Sequence, residues 1–144
     1  MRFADLADGG RQLAELLSPE VVAGAVLLAV PPGGVTVGDA VAAALGLEVV
    51  PLLTTRDDDG VSVEVPVDVT GRRVVVLDDG VETGTAARAV VAALRQAGAS
   101  FVVLAVPICP REAEADLRHR YDEVIAVTRP LVRRSLRWHY DTFA

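Results

Sequence analysis

The chain has 144 residues, of which 51% are hydrophobic and only 4% aromatic, and its formal net charge is −6. This hydrophobicity excludes a disordered chain, and the length predicts a single domain over residues 1–144. The acidic charge argues against nucleic acid as a partner. All fourteen basic residues are arginines, which excludes a mechanism built on a Schiff-base or P-loop lysine.

The N-terminal segment and the apolar runs bear on localisation. The first ten residues carry two acidic side chains and no apolar leader segment. The longest apolar run, "VVAGAVLLAV", is about half as long as a membrane span and ends at Pro31. We therefore expect a cytoplasmic protein with no membrane partner.

Short apolar runs alternate with segments of helical spacing along the chain. The first helical segment covers residues 3–17 and is interrupted at Gly9-Gly10. The patterns further predict strands at 24–30, 47–53, 72–79, 100–108 and 122–130, helices at 37–46, 83–99 and 110–121, a tight loop at 31–34, and an edge strand or hairpin arm at 61–67 that contains Pro66. This alternation predicts an α/β fold, a doubly wound and mainly parallel sheet flanked by helices.

Two adjacent aspartates, Asp78 and Asp79, lie at the end of a predicted buried strand, just before a predicted helix start. The backbone N–H groups of residues 83–86 would form the first turn of that helix, which is a natural anion site. Gly84 allows close approach of a ligand to the backbone, and a threonine on either side adds a hydroxyl. A phosphate at the helix end and vicinal hydroxyls at the carboxylates together describe a ribose 5-phosphate.

Three segments carry a family resemblance. "VVVLDDGVETGTA" resembles the ribose-phosphate signature of the type I phosphoribosyltransferases, and "LAVPPGGVTVGDAVAAALG" is similar to their pyrophosphate loop and following helix. "RWHYDTF" is similar to the Trp-Tyr-x-x-Phe ending of an uncharacterised bacterial subgroup, whose first helix the opening "FADLADGGRQLAELL" also resembles.

The resemblance implies a ligand, phosphoribosyl pyrophosphate or a nucleoside 5′-monophosphate, and a reaction, transfer of ribose 5-phosphate to a nitrogenous base. It implies Mg²⁺ bound mainly through substrate oxygens and waters, with no direct protein ligand, and a homodimer as a candidate assembly. Asp78 and Asp79 would hold the ribose hydroxyls and stabilise an oxocarbenium-like transition state. The implied ribose 5-phosphate residues are Asp78, Asp79, Gly80, Val81, Glu82, Thr83, Gly84, Thr85 and Ala86, and the implied pyrophosphate residues are Pro32, Gly33 and Gly34.

Two further residues have alternative interpretations. The resemblance makes Glu82 a candidate general base near the incoming base nitrogen, while a solvated glutamate beside a helix N-terminus is the simpler and preferred interpretation. Trp138 is a candidate for stacking on the base, while packing of the tail on the sheet, together with Tyr140, is the simpler interpretation.

Three departures from the family pattern support an alternative function. Pro32 replaces an arginine or other polar residue and lacks a backbone donor. Ala86 replaces the last hydroxyl of the signature, and the segment expected to cover the site offers Arg56 followed by Asp57–Asp59. The alternative is a catalytically degenerate nucleotide-sensing or assembly module that keeps only the 5′-phosphate site.

Overall fold

The computed structural model describes residues 2–143 and contains a five-stranded parallel sheet between two layers of helices. In chain order the elements are α1 (Leu6–Ala14), α2 (Pro19–Val22), β1 (Val26–Ala29), α3 (Gly33–Leu45), β2 (Val50–Pro51), β3 (Leu53–Asp57), β4 (Gly60–Glu64), β5 (Arg73–Leu77), α4 (Thr85–Gln96), β6 (Phe101–Ile108), α5 (Arg111–Leu117), β7 (Glu123–Thr128) and a 3₁₀ helix (Leu136–His139).

The strand order in the main sheet is β2-β1-β5-β6-β7, and every neighbouring pair is parallel. Ala29 at the end of β1 pairs with Leu77 at the end of β5, and Leu77 pairs with Ala105 of β6. The loops that follow β1 and β5 therefore emerge side by side at the carboxyl edge of the sheet. This is the edge at which ligands bind in doubly wound folds.

The central strand β5 is buried on both faces, which explains its continuous apolar sequence. Val74 and Val76 pack into the core under α4 and the hairpin, and Val75 and Leu77 pack into the core under α1 and α3. Side chains of a strand alternate between faces, so one short run contributes to both cores. The predicted α/β fold with a mainly parallel sheet is confirmed.

The segment after β1 is helical earlier than the sequence predicted. α3 begins at Gly33, whereas a tight loop was expected at residues 31–34 and a helix only from 37. The prediction followed from the poor helix propensity of proline and glycine. In the structure, the first turn of the helix tolerates proline, and burial against the sheet outweighs the weak helix propensity of the two glycines. Gly33 and Gly34 are therefore part of a helix N-terminus.

The segment before β5 is mainly a hairpin rather than a long strand of the main sheet. Of the strand predicted at 47–53, only Val50–Pro51 (β2) belongs to the main sheet. Residues from Leu53 onward form β3, which pairs antiparallel with β4. The arm predicted at 61–67 is found only as far as Glu64, because Pro66 cannot donate to a ladder. The short helix α2 was not predicted.

The first helix is continuous across the two glycines where an interruption was predicted. A side chain at Gly10 would overlap the backbone oxygen of Val37 in α3, at 2.6 Å. The small residue therefore allows α1 and α3 to approach closely. Within residues 2–143, no helix has the length and apolar character needed to cross a membrane.

The C-terminal tail returns to the start of the chain and is fixed there. Phe3 N–H donates to His139 O at 2.7 Å, and Asp141 N–H donates to Phe3 O at 2.8 Å. Tyr140 is buried against the ring of Phe3, with ring centroids 5.5 Å apart. This docking places the 3₁₀ helix beside the loop that follows β5.

His139 makes the stability of the docked tail sensitive to acid. It is 2% exposed, and neither ring nitrogen has a hydrogen-bond partner within residues 2–143. Burial lowers the pKa of His139, and the charges of Arg134 and Arg2 lower it further. The unfolded chain therefore binds the proton more readily, so His139 is expected to reduce stability as the pH falls below about 6.5.

The measurement is Tm between pH 8 and pH 5 for the wild type, His139→Gln and His119→Gln. His119 is an exposed histidine and serves as the matched control. The fall in Tm between pH 7 and pH 5 should be smaller in His139→Gln than in the other two proteins. Equal slopes in all three would contradict a role for His139.

Candidate functional site

The adjacent loops after β1 and β5 border a cavity of about 270 Å³ at the carboxyl edge of the sheet. Its wall combines the two prolines after β1, the whole loop from β5 into α4, one residue of the hairpin and one of the tail. The lining residues are Val30, Pro31, Pro32, Arg56, Leu136 and residues 78–87.

The cavity brings most of the predicted site residues together. All nine residues predicted for ribose 5-phosphate, 78–86, line it, as does Pro32. Gly33, Gly34 and Trp138 are absent from the lining. The Trp138 ring is 41% exposed and packs against the guanidinium of Arg134 at 4.4 Å.

The two aspartates are partly buried and adjacent. Asp79 N–H donates to Asp78 Oδ1 at 2.8 Å. Burial raises the pKa of Asp78 well above its usual range, and the charge of Asp79 raises it further. Burial also raises the pKa of Asp79. Burial in the cleft favours the neutral form of both carboxyl groups, and packing alone would favour neutral residues at these two positions. An acidic pair in such a place is typical of a functional site.

Gly33 and Gly34 lie against this acidic pair. A Cβ at Gly33 would overlap the carboxylate of Asp79. A Cβ at Gly34 would lie 2.8 Å from Leu77 O, and the Pro31–Pro32 peptide bond just before the helix is cis. The absence of side chains therefore lets the N-terminus of α3 pack directly on the end of β5, where its dipole favours the negative charge of Asp79.

The loop before α4 has the features of an anion site. Gly84 has φ +89, a left-handed conformation that glycine adopts without strain, and α4 begins at the next residue. Thr83 Oγ1 and Thr85 Oγ1 are 3.2 Å apart. Arg88 donates from Nη1 to Thr83 O at 3.2 Å and from Nη2 to Thr85 Oγ1 at 3.4 Å, which adds a cation beside the helix N-terminus.

Two tail residues join the site that the sequence analysis did not assign to it. Leu136 lines the cavity, and Leu136 N–H donates to Glu82 Oε1 at 2.7 Å. Tyr140 Oη donates to Asp79 O at 2.6 Å. Both partners are more than fifty positions away in the sequence, so no local pattern could reveal these contacts.

Arg56 of β3 lines the cavity. Its positive charge lowers the pKa values of the acidic pair and so opposes the larger effect of burial.

Within residues 2–143, no three His, Cys, Asp or Glu side chains cluster in a way that could hold a metal ion. A cation at this site would therefore have to be held mainly by oxygens of a bound ligand and of water.

The fold and the site together define a doubly wound α/β protein with an acidic pair and a helix N-terminus at one cleft. The sequence model of the phosphoribosyl transferase domain family matches residues 7–133. The chain therefore belongs to the phosphoribosyl transferase domain family, as the sequence resemblance predicted.

Similar solved structures agree with this assignment. The chain superposes on the crystal structure of TT1426 from Thermus thermophilus with a TM-score of 0.86 and 28% identity, covering 100% of this chain and 92% of that one. It superposes on a purine phosphoribosyltransferase from Pyrococcus horikoshii Ot3 with a TM-score of 0.61 and 20% identity, covering 88% and 87% of the two chains. At this identity the second match concerns the fold alone.

A sequence relative comes from Mycobacterium tuberculosis H37Rv, a protein provisionally named as a phosphoribosyl transferase. It is 42% identical over 64 residues, which make up 44% of this chain and 14% of the relative. The matched segment thus spans about one seventh of that relative's length.

Proposed function

We propose that the cavity at the carboxyl edge of the sheet binds the ribose 5-phosphate part of phosphoribosyl pyrophosphate or of a nucleoside 5′-monophosphate. The observation that carries the proposal is that Asp78, Asp79 and residues 82–86 line the same cavity. The backbone N–H groups at the start of α4 would bind the 5′-phosphate. The carboxylates would accept hydrogen bonds from the 2′- and 3′-hydroxyls.

Transfer of ribose 5-phosphate to a nitrogenous base is the reaction proposed for this site. The bond between C1 of the ribose and the pyrophosphate oxygen would break, a bond between C1 and a base nitrogen would form, and pyrophosphate would leave. The charges of Asp78 and Asp79 would stabilise the positive charge that develops on the ribose ring. The base nitrogen would lose its proton to a carboxylate of the site or to water.

Mg²⁺ is the cation proposed for this site, and the donor set agrees with this choice. Magnesium prefers carboxylate, phosphate and water oxygens, and the two aspartates supply hard oxygens beside the ligand cleft. The ion would be held mainly by the pyrophosphate and ribose oxygens of the ligand. When bound, it would neutralise charge on the pyrophosphate.

The alternative function, a nucleotide sensor without transferase activity, is supported by the pyrophosphate side of the cavity. Pro32 has no N–H to donate, and the Asp79 carboxylate packs where Gly33 would otherwise expose its backbone. The hairpin turn beside Arg56 carries Asp57–Asp59, whose charges repel pyrophosphate. On the 5′-phosphate side, Gly84 and the hydroxyls of Thr83 and Thr85 are present.

Calorimetric titration with phosphoribosyl pyrophosphate, with and without Mg²⁺, tests the proposal and separates the two functions. Magnesium-dependent micromolar binding followed by base-dependent pyrophosphate release supports the transferase. Binding of a nucleoside 5′-monophosphate without binding of phosphoribosyl pyrophosphate supports the sensor. Failure to bind either ligand contradicts both.

A further inference from the structure

The tail crosses the ribose-phosphate loop at two points. We define the strap as residues 135–140 and the acidic loop as residues 79–82. Leu136 N–H donates to Glu82 Oε1 at 2.7 Å, and Tyr140 Oη donates to Asp79 O at 2.6 Å. The strap is thus bound at both ends of the acidic loop.

Between these two hydrogen bonds the strap packs closely on the loop. A Cβ at Gly80 would lie only 2.5 Å from Leu136 Cδ2, so the leucine side chain rests directly on the glycine backbone. The same side chain lines the ligand cavity. The position of Leu136 therefore shapes both the loop and the cavity wall.

The chain just before the strap offers little independent support for this position. Residues 131–135 lie outside the helices and strands, and Leu131 and Val132 are 75% and 66% exposed. The strap is instead held from its far end, where Tyr140 is buried on Phe3. At its near end, the hydrogen bond to Glu82 fixes the backbone of Leu136.

We propose that Glu82 is a positioning residue that fixes the strap over the acidic loop and, through Leu136, sets the affinity of the cavity for a nucleoside 5′-monophosphate. The affinity part of this inference rests on the proposed function. One carboxylate oxygen of Glu82 accepts the bond from Leu136 N–H, and an amide oxygen at the same place can accept it as well. This role requires an acceptor oxygen at position 82 but no transfer of a proton.

Two substitutions separate positioning from proton transfer. In Glu82→Gln, the amide oxygen can still accept from Leu136 N–H, but the group is no longer a base. In Glu82→Ala, both abilities are lost. Glu20→Gln, at an exposed glutamate of α2, removes the same charge far from the site and serves as the control.

The first measurement is hydrogen exchange at the Leu136 amide in the ligand-free chain. We expect exchange to be about ten-fold faster in Glu82→Ala, and close to that of the wild type in Glu82→Gln and in the control. The second measurement is the Kd for GMP. We expect weaker binding in Glu82→Ala by about ten-fold and a near wild-type Kd in Glu82→Gln.

The outcomes separate this inference from the proposed function. Unchanged exchange in Glu82→Ala, or equal acceleration in both Glu82 variants, would overturn the positioning role. A wild-type Kd for GMP in Glu82→Ala, together with faster exchange at the Leu136 amide, would overturn the part of the inference that concerns affinity. Absence of binding of GMP and phosphoribosyl pyrophosphate by the wild type would contradict the proposed function, while the exchange result would still decide the role of Glu82 in holding the strap.

Discussion

Replacing Asp78 and Asp79 together with asparagine is expected to abolish binding of ribose 5-phosphate ligands and to raise stability at neutral pH. Affinity for a nucleoside 5′-monophosphate should fall more than about 100-fold, because each carboxylate would bind a ribose hydroxyl by a charge-assisted bond. Binding by the ligand's phosphate alone would be too weak to restore this affinity.

The stability gain follows from the direction of the two pKa shifts. Burial raises the pKa values of Asp78 and Asp79 above those of the unfolded chain. The folded chain therefore binds these protons more tightly, and the free energy of unfolding falls as the pH rises from the unfolded pKa through the folded pKa. Asparagine is neutral and removes the penalty, so Tm at pH 7 should rise by about 3 °C or more, and the gain should shrink in acid.

The control for the double variant is Asp58→Asn with Asp59→Asn, which removes the same charge from the exposed hairpin turn. It should leave Tm and the affinity for a nucleoside 5′-monophosphate near the wild-type values, because this ligand carries no pyrophosphate for those charges to repel. A double variant at positions 78 and 79 that keeps its affinity would refute the assignment of the ribose hydroxyls to this pair. A lower Tm at pH 7 would refute the account of its electrostatic penalty.

Replacing Gly34 with alanine is expected to destabilise the fold and to weaken ligand binding. The new Cβ would lie 2.8 Å from Leu77 O and 3.0 Å from Asp78 Cα, both of which are backbone atoms that cannot rotate away. Separation of α3 from the end of β5 should lower the free energy of unfolding by about 1–3 kcal/mol. Since the displaced backbone carries Asp78, we expect ligand affinity to fall with stability.

Gly38→Ala is the matched control, because Gly38 lies one turn further along α3. Its Cβ would meet Ala29 Cβ at 3.1 Å and Val49 Cγ2 at 3.3 Å, which are longer contacts than those at Gly34 and require a shift of only a few tenths of an ångström. Alanine also gains about 1 kcal/mol of helix propensity, so the net change should be small. Chemical denaturation of both variants measures the difference, and equal effects would contradict the close packing assigned to Gly34.

The sequence predicted the sheet and the strand, loop and helix around Asp78 and Asp79 because these elements depend on local patterns. The run from Val74 to Leu77 is apolar without interruption, as a strand buried on both faces must be. The acidic pair, Gly84 and the helix start follow within about ten residues, so their joint placement follows from the chain's connectivity.

Features that depend on distant contacts were not predictable in the same way. The low helix propensity of glycine predicted a loop at Gly33 and Gly34. In the folded chain these residues pack against the acidic pair and form the N-terminus of α3. Glu82 alone gives no indication of Leu136, and Tyr140 gives none of Asp79, because the tail meets the loop only in the folded chain. The tail's contribution to the site therefore required the structure.

The central claim is that the cavity holds a ribose 5-phosphate between the acidic pair and the start of α4. The most direct test is a crystal structure of the chain grown with GMP. We predict the 5′-phosphate within hydrogen-bond distance of the backbone N–H groups of residues 83–86, and the ribose hydroxyls on Asp78 and Asp79. A well-ordered GMP bound elsewhere, with this cavity filled only by water, would contradict the account.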